Sequence, residues 1–191
     1  KINSKNSIIK KNRYVDEYTL NRLFQSNENE DFKLDLKTQK KVRNKLEQII
    51  NKYNQILLYD YGYLYSSQIF VNFFNKYSKN LVVNCQSNSF NFGFNIPDKY
   101  KKANILSVDE AEFRFLVKDS TSDVKKLIFK NKFKFKKYKH VIITQGKTGC
   151  YLINSQKVKF IPTIINQRLD TTGAGDAFLA MFSYLKLNMD L

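Results

Sequence analysis

Apolar residues follow two alternating rhythms along this chain. Val42, Leu46, Ile49, Ile50 and Tyr53 recur at three- and four-residue spacings, with lysines on the other face. That period predicts an amphipathic helix over about residues 36–53, with Asp35 as its N-cap. Ile56-Leu57-Leu58-Tyr59-Asp60 is a short apolar run that ends in a carboxylate, followed by Tyr61-Gly62. A strand buried on both faces of a parallel sheet reads this way. Helical spacing resumes at Phe70, Phe73, Phe74 and Tyr77, with Ser66 or Ser67 as cap. Residues 81–84, 105–108 and 141–144 read as further strands, and Asp109-Glu110-Ala111-Glu112-Phe113 opens a helix. Residues 150–153 and 157–161 predict a hairpin turning at Asn154-Ser155. Last, Ala177-Phe178-Leu179-Ala180-Met181-Phe182 has the length and spacing of a buried helix.

The first 34 residues are polar and basic. Within them residues 14–18 suggest a short strand, flanked by Arg13 and Arg22, and residues 27–31 read as a loop. Between Lys130 and Lys139, lysines interleave with Phe133, Phe135 and Tyr138. Such a mixture suits a single-stranded nucleic-acid platform, but a helix end and loop leading into the next strand is preferred. No internal repeat is visible. Strands and helices alternate, then a hairpin, then a final helix. This order predicts an α/β sandwich around a mostly parallel sheet.

Composition narrows the setting. Apolar residues make up 42% of the 191, enough for a real core, and the formal net charge is +16. The lysines are spread along the chain and asparagine is common with them. We read this as a compositional bias rather than a nucleic-acid footprint, although a basic surface also attracts nucleotides and sugar phosphates. Cys85 and Cys150 stand far apart in apolar stretches, which predicts buried free thiols, a reducing compartment and a cytoplasmic location. The single histidine, His140, leads into a strand and is read as structural or exposed, so no zinc site can be assembled. No apolar run reaches the ~18 residues of a membrane span. The chain has no secretory signal at its start and begins without Met, so a longer N-terminus is expected.

Open α/β sheets bind ligands beyond the carboxyl ends of their strands. Four pieces fall at such ends: Asp60-Tyr61-Gly62, Asp109-x-x-Glu112, Thr144-x-Gly146-x-x-Gly149 and residues 170–176. In the last piece, Gly173-Ala174-Gly175 precedes the final helix. Glycine lets a phosphate approach the backbone at a helix start, where unpaired N–H groups carry positive partial charge. Asp176 falls in the first helical turn. Gly146-Lys147-Thr148 mimics the end of a Walker A loop, but the required first glycine is Val141 and a hairpin follows instead of a helix.

The string Asp170-Thr171-Thr172-Gly173-Ala174-Gly175-Asp176-Ala177-Phe178 closely resembles the C-terminal motif of the ribokinase-like (PfkB-type) carbohydrate kinases. The resemblance implies a three-layer α/β sandwich with a C-terminal hairpin, using ATP and Mg2+ to phosphorylate a sugar hydroxyl. It implies Asp176 as catalytic base and Gly173, Ala174 and Gly175 as anion hole. Thr144, Gly146, Gly149 and Thr172 would lie on the nucleotide side. Glu112 and Asp109 would serve the metal, with Asp109 standing where the family has Asn. Asp170, Asn84, Gln86 and Asn88 would lie on the substrate side.

The run Asn84-Cys85-Gln86-Ser87-Asn88-Ser89-Phe90-Asn91-Phe92-Gly93-Phe94-Asn95, with Asp60-Tyr61-Gly62, resembles the subgroup related to heptose-7-phosphate kinases. That subgroup serves ADP-heptose synthesis. It implies a sugar or sugar-phosphate substrate, a fused or partner nucleotidyltransferase, and compatibility with a homo-oligomer. The resemblance covers residues 1–191 as one partial domain. The family's N-terminal sugar-binding part and its C-terminal helices are expected outside it. A non-catalytic nucleotide-binding relative or degraded fragment is therefore a second reading, and a basic nucleic-acid binder a third.

Overall fold

The computed structural model describes residues 9–19, 22–28, 34–63, 67–88, 91–155, 157–164 and 173–189. Strands β1 (Lys10–Val15) and β2 (Arg22–Glu28) form an antiparallel ribbon of their own. Helix α1 (Leu36–Ile49) starts at Asp35, whose carboxylate accepts from the Thr38 amide, and closes with a single 3-10 turn at Ile50–Lys52. Then follow β3 (Ile56–Asp60), α2 (Gln68–Lys76), β4 (Leu81–Cys85) and β5 (Ala103–Asp109). Helices α3 (Glu110–Val117), α4 (Val124–Lys130) and α5 (Lys132–Phe135) lead to β6 (Tyr138–Thr144). Strands β7 (Gly149–Asn154) and β8 (Val158–Pro162) make the hairpin, and α6 (Ala174–Asn188) comes last.

The main sheet runs β3-β4-β5-β6-β7-β8. Its first four strands are parallel, and the hairpin adds two antiparallel strands. Because β4 is buried on both sides, its sequence Leu-Val-Val-Asn-Cys lacks the alternation of a one-sided strand. The larger core lies on one face, where Phe70, Phe73, Phe74, Phe113 and Leu127 pack on Leu81, Val83, Leu106 and Ile143. On the other face Leu179 of α6 joins Val82, Ile105, Ile142 and Cys150. Three layers result, as anticipated.

The structure departs from the sequence reading in three places. The strand expected at 14–18 is β1, ending at Val15, and Asn27 and Glu28, expected in a loop, belong to β2. This ribbon is held by polar cross-strand pairs, Asn12 with Ser26 and Arg13 with Gln25, and by Tyr14 stacked on Phe24 at 4.3 Å. The segment between Lys130 and Lys139 holds the extra helix α5. Finally, α6 is not a buried helix: it buries only Leu179 and Ser183, while Phe178, Met181, Tyr184 and Leu187 are exposed. Ser66 lies outside the described residues; Ser67 is the N-cap of α2 but makes no capping side-chain bond. Both cysteines are free and buried, and His140 is buried within β6.

No helix among the described residues is long and apolar enough to cross a membrane.

Candidate active site

Register brings the strand ends together. Asp60 pairs with Cys85, Asn84 with Ser107, and Asp109 with Thr144. Beyond this edge lies a cleft of about 240 Å3, lined among others by Asn84, Gln86, Asp109, Glu112, Thr144 and Asp176. Gly173 and Gly175 close it from the start of α6. A larger concavity of about 380 Å3 lies at the opposite end of the sheet, by Phe135, Tyr138 and Ile153, and has no carboxylate in its lining.

The α6 end is shaped for an anion. Gly173 is the N-cap with φ of 77°, a conformation that favours glycine. A Cβ placed on Gly173 or Gly175 meets no atom within 4 Å, so both backbones face open space. The helix therefore presents its first amides to the cleft, with Asp176 in its first turn.

Asp176 is half-buried and its carboxylate is held on both oxygens. Gln86 Nε2 donates to Oδ1 at 2.6 Å, and the Tyr61 phenol donates to Oδ2 at 3.1 Å. The Tyr59 phenol donates to the Asp176 carbonyl at 2.9 Å. Burial, then the Asp176 charge, pushes both phenols above the ordinary tyrosine range, so they remain donors. Tyr59 and Tyr61 were not among the predicted site residues. The signal for Tyr61 was its place directly after a strand; nothing local marked the partnership.

Asp109 and Glu112 form a capping box on α3. Asp109 Oδ1 accepts from the Glu112 amide at 2.7 Å, and Glu112 Oε2 accepts from the Asp109 amide at 2.9 Å. Asp and Asn are about equally good N-caps, so an Asn at position 109 would cap this helix as well. Glu112 Oε1 also accepts from the Ser87 amide. Burial first, then the Asp109 charge and, more weakly, Asp176, raises the Glu112 carboxyl to about 7, against the pull of its two amide donors. A cation near this edge would relieve the crowding of negative charge. Among the described residues no three His, Cys, Asp or Glu side chains are grouped to hold a metal. Magnesium accepts fewer: it keeps waters and binds one or two carboxylates with substrate phosphates. Asp109 and Glu112 fit that requirement.

The remaining predicted residues divide. Asn84 lines the cleft; its Nδ2 donates to the Ser107 carbonyl, and its buried Oδ1 has no partner among the described residues. Thr144 lines the cleft, whereas Gly146, with φ of 55°, sits in the exposed 3-10 turn beyond it. Gly149 is packed against the hairpin: a Cβ there would stand 2.1 Å from the Ile161 carbonyl. Ala174 opens α6 without lining the cleft. Asn88 is turned away from the cleft, donating to the Tyr61 carbonyl and pairing with Asn91. Asp60, one of the four strand-end pieces, is fully buried beneath the site. It bonds Lys99 at 2.5 Å, the Tyr100 phenol at 2.7 Å and the Gly62 amide at 2.9 Å. Asp170 and Thr172 lie outside the described residues.

Comparison with known proteins gives a consistent picture. A family model described as pfkB family carbohydrate kinase matches residues 21–189. Fructokinase-2 from Oryza sativa subsp. japonica is 31% identical over 80 residues, 42% of this chain and 23% of the rice protein. The structure of ribokinase from Giardia lamblia superposes with a TM-score of 0.65 at 17% identity, covering 93% of this chain and 56% of that one. The tetrameric inhibited form of phosphofructokinase-2 from Escherichia coli gives 0.60 at 15%, covering 80% and 51%. At these identities the likeness is one of fold. The chain spans about half the length of these solved structures, and its match spans under a quarter of the rice relative.

Proposed function

The chain belongs to the pfkB family of carbohydrate kinases, and from that premise we propose that it carries the phosphoryl-transfer site of an ATP-dependent sugar or sugar-phosphate kinase. The observation that carries the reading is Asp176 in the first turn of α6, facing the same cleft as Gly173, Gly175, Asp109 and Glu112. Phosphoryl transfer asks mainly for positioning and for neutralising negative charge on the moving group. The α6 amides at Gly173, Ala174 and Gly175 supply fixed positive partial charge there. Asp176 accepts the proton of the attacking sugar hydroxyl as its oxygen bonds the γ-phosphorus and the bond to ADP breaks. Magnesium, when bound, would neutralise phosphate charge, with Glu112 and Asp109 as its protein-side carboxylates. Thr144, Gly146 and Gly149, with Thr172, form the nucleotide side of this reading. Asn84 and Gln86, with Asp170, form the acceptor side.

For the acceptor, the proposal is a sugar phosphate of the heptose 7-phosphate type, with a nucleotidyltransferase acting on the product. Its support is the sequence resemblance of the 84–95 segment.

The test is a coupled ADP-release assay on the complete gene product with ATP, magnesium and a heptose 7-phosphate, fructose 6-phosphate serving as second acceptor. Asp176→Asn is expected to bind ATP with unchanged affinity and to lose turnover by about 100-fold or more, the scale of a general base. Turnover within about tenfold of the parent, roughly 1.4 kcal/mol of barrier, removes Asp176 from that role. ATP binding without turnover on either acceptor favours the non-catalytic reading.

A further inference from the structure

Gln86 and Tyr61 reach Asp176 across 90 and 115 residues of sequence, and between them they occupy both carboxylate oxygens. They are set by one lattice of side-chain amides. Asn88 and Asn91 each donate through Nδ2 to the Tyr61 carbonyl, both at 2.8 Å. The same two residues bond each other reciprocally: the Asn88 amide donates to Asn91 Oδ1, and the Asn91 amide to Asn88 Oδ1. Asn95 Nδ2 donates to the Asp60 carbonyl at 2.7 Å and to the Gln86 carbonyl at 3.2 Å. The backbone carbonyls of Asp60, Tyr61 and Gln86 are therefore tied together from one loop. Close approach is built in at Gly62, where a Cβ would stand 2.1 Å from Asn91 Nδ2 and φ is +82°.

We propose that Tyr61 and Gln86 are positioning residues for the Asp176 carboxylate, and that the asparagine-rich segment after β4 is the frame that presents them. The proposal rests on the reading of Asp176 as the base. An aspartate in the first turn of a half-exposed helix is otherwise free to turn about its side-chain bonds. Two donors fix its plane and leave the remaining lone pairs for an acceptor hydroxyl in the cleft. The carbonyl bond from Tyr59 pins the backbone of the same residue. Three contacts thus hold Asp176, while the rest of α6 buries only Leu179 and Ser183. The repeated asparagines of the motif are spent on the frame, and Gln86 is the member that meets Asp176.

Tyr61→Phe and Gln86→Leu in the full-length protein test this. The first readout needs no turnover: the carboxyl 13C chemical shift of Asp176 at one fixed neutral pH, assigned by its loss in Asp176→Asn, without nucleotide or metal. The second is kcat with ATP, magnesium and a heptose 7-phosphate, in variants shown to be folded by circular dichroism. Each variant removes one hydrogen bond to the carboxylate and is expected to move the Asp176 resonance. Each is also expected to lower kcat about tenfold, the scale of one hydrogen bond to a charged group, with KM for ATP within about twofold. An Asp176 resonance and a kcat unchanged in both variants overturn the proposal. If the parent turns over neither heptose 7-phosphate nor fructose 6-phosphate but the resonance still moves in the variants, the positioning stands and the kinase reading falls.

Discussion

The two most recognisable stretches of this chain, the asparagine-rich segment after β4 and the glycine turn before α6, are built in opposite ways. The first is bonded inward. Asn88, Asn91 and Asn95 spend their side chains on the backbone of β3 and its exit, over a buried Asp60 that also holds Lys99 and Tyr100. The second is open. Gly173 and Gly175 face empty space, and their helix shows Phe178, Met181 and Tyr184 to the outside. Polar residues form the densely bonded part here and apolar ones the exposed part, the reverse of what composition suggests. The lesson is that a motif of hydrogen-bonding side chains does not have to face a ligand. A satisfied network of buried amides fixes geometry, because breaking any one bond strands a partner away from water.

If that contrast is sound, stability belongs to the first stretch and not to the second. The largest effect is expected at Asp60→Ala, which removes the buried carboxylate bonded by Lys99, the Tyr100 phenol and the Gly62 amide. Breaking a buried pair of this kind costs about 3–5 kcal/mol, measurable by urea unfolding. A loss under about 1 kcal/mol would reduce the buried ion pair to the worth of a surface one.

Next comes the pH dependence set by Glu112. Its carboxyl is raised to about 7 in the folded state, against an ordinary 4.5. The folded chain thus holds a proton that the unfolded chain releases between those values. The resulting stability is fully present below the lower value and is lost as pH rises through the upper one, amounting to about 3 kcal/mol. His140 is lowered by burial and contributes the opposite slope in the acid part of this window. The comparison is therefore with Glu112→Gln, whose unfolding free energy should lack the fall seen in the parent between about pH 4.5 and 7. Equal slopes in the two proteins would mean that Glu112 is not strained by its setting.

Gly62→Ala is expected to cost about 1–3 kcal/mol, from a side chain forced to positive φ and pressed on Asn91. Thermal unfolding at one pH is enough to see it, and an unchanged midpoint would show that the loop gives way easily. At the small end, Met181→Ser on the exposed side of α6 should change stability by less than about 0.5 kcal/mol. A larger loss by the same measurement would mean that something covers that side in solution.

The buried strands were legible because continuous apolar runs have no other use in a chain of this kind. The cap at Asp35 was legible too, since it precedes its helix with the spacing that a cap requires; Asp109 was placed at a helix start, but its capping box with Glu112 is seen only in the structure. The polar ribbon was not, because its pairs of Asn, Ser, Arg and Gln give no hydrophobic period. Residues 27 and 28 read as loop for that reason. The exposed side of α6 escaped in the other direction: an apolar run does not say which of its sides finds a partner. One cleft gathers Asp176, Glu112, Gly173 and Gly175, which motif and position had singled out. Tyr59 and Tyr61 reach Asp176 across more than 100 residues; the strand end marked the position of Tyr61, but local sequence carries no trace of either contact. Asn88, expected on the acceptor side, bonds the Tyr61 carbonyl and Asn91 instead of lining the cleft, since sequence gives an amide's presence and not its direction.

The order of the main sheet is the order of the chain, β3 to β8 without a skip. A growing polypeptide can therefore add each strand to an edge that already exists, and no strand waits for a neighbour made later. Such a sheet keeps its pairings short in sequence and closes few long loops during assembly, which favours quick and orderly folding even with parallel strands. The helix that brings Asp176 comes after all six strands. The chain thus completes its frame before the acid that the frame holds has been synthesised.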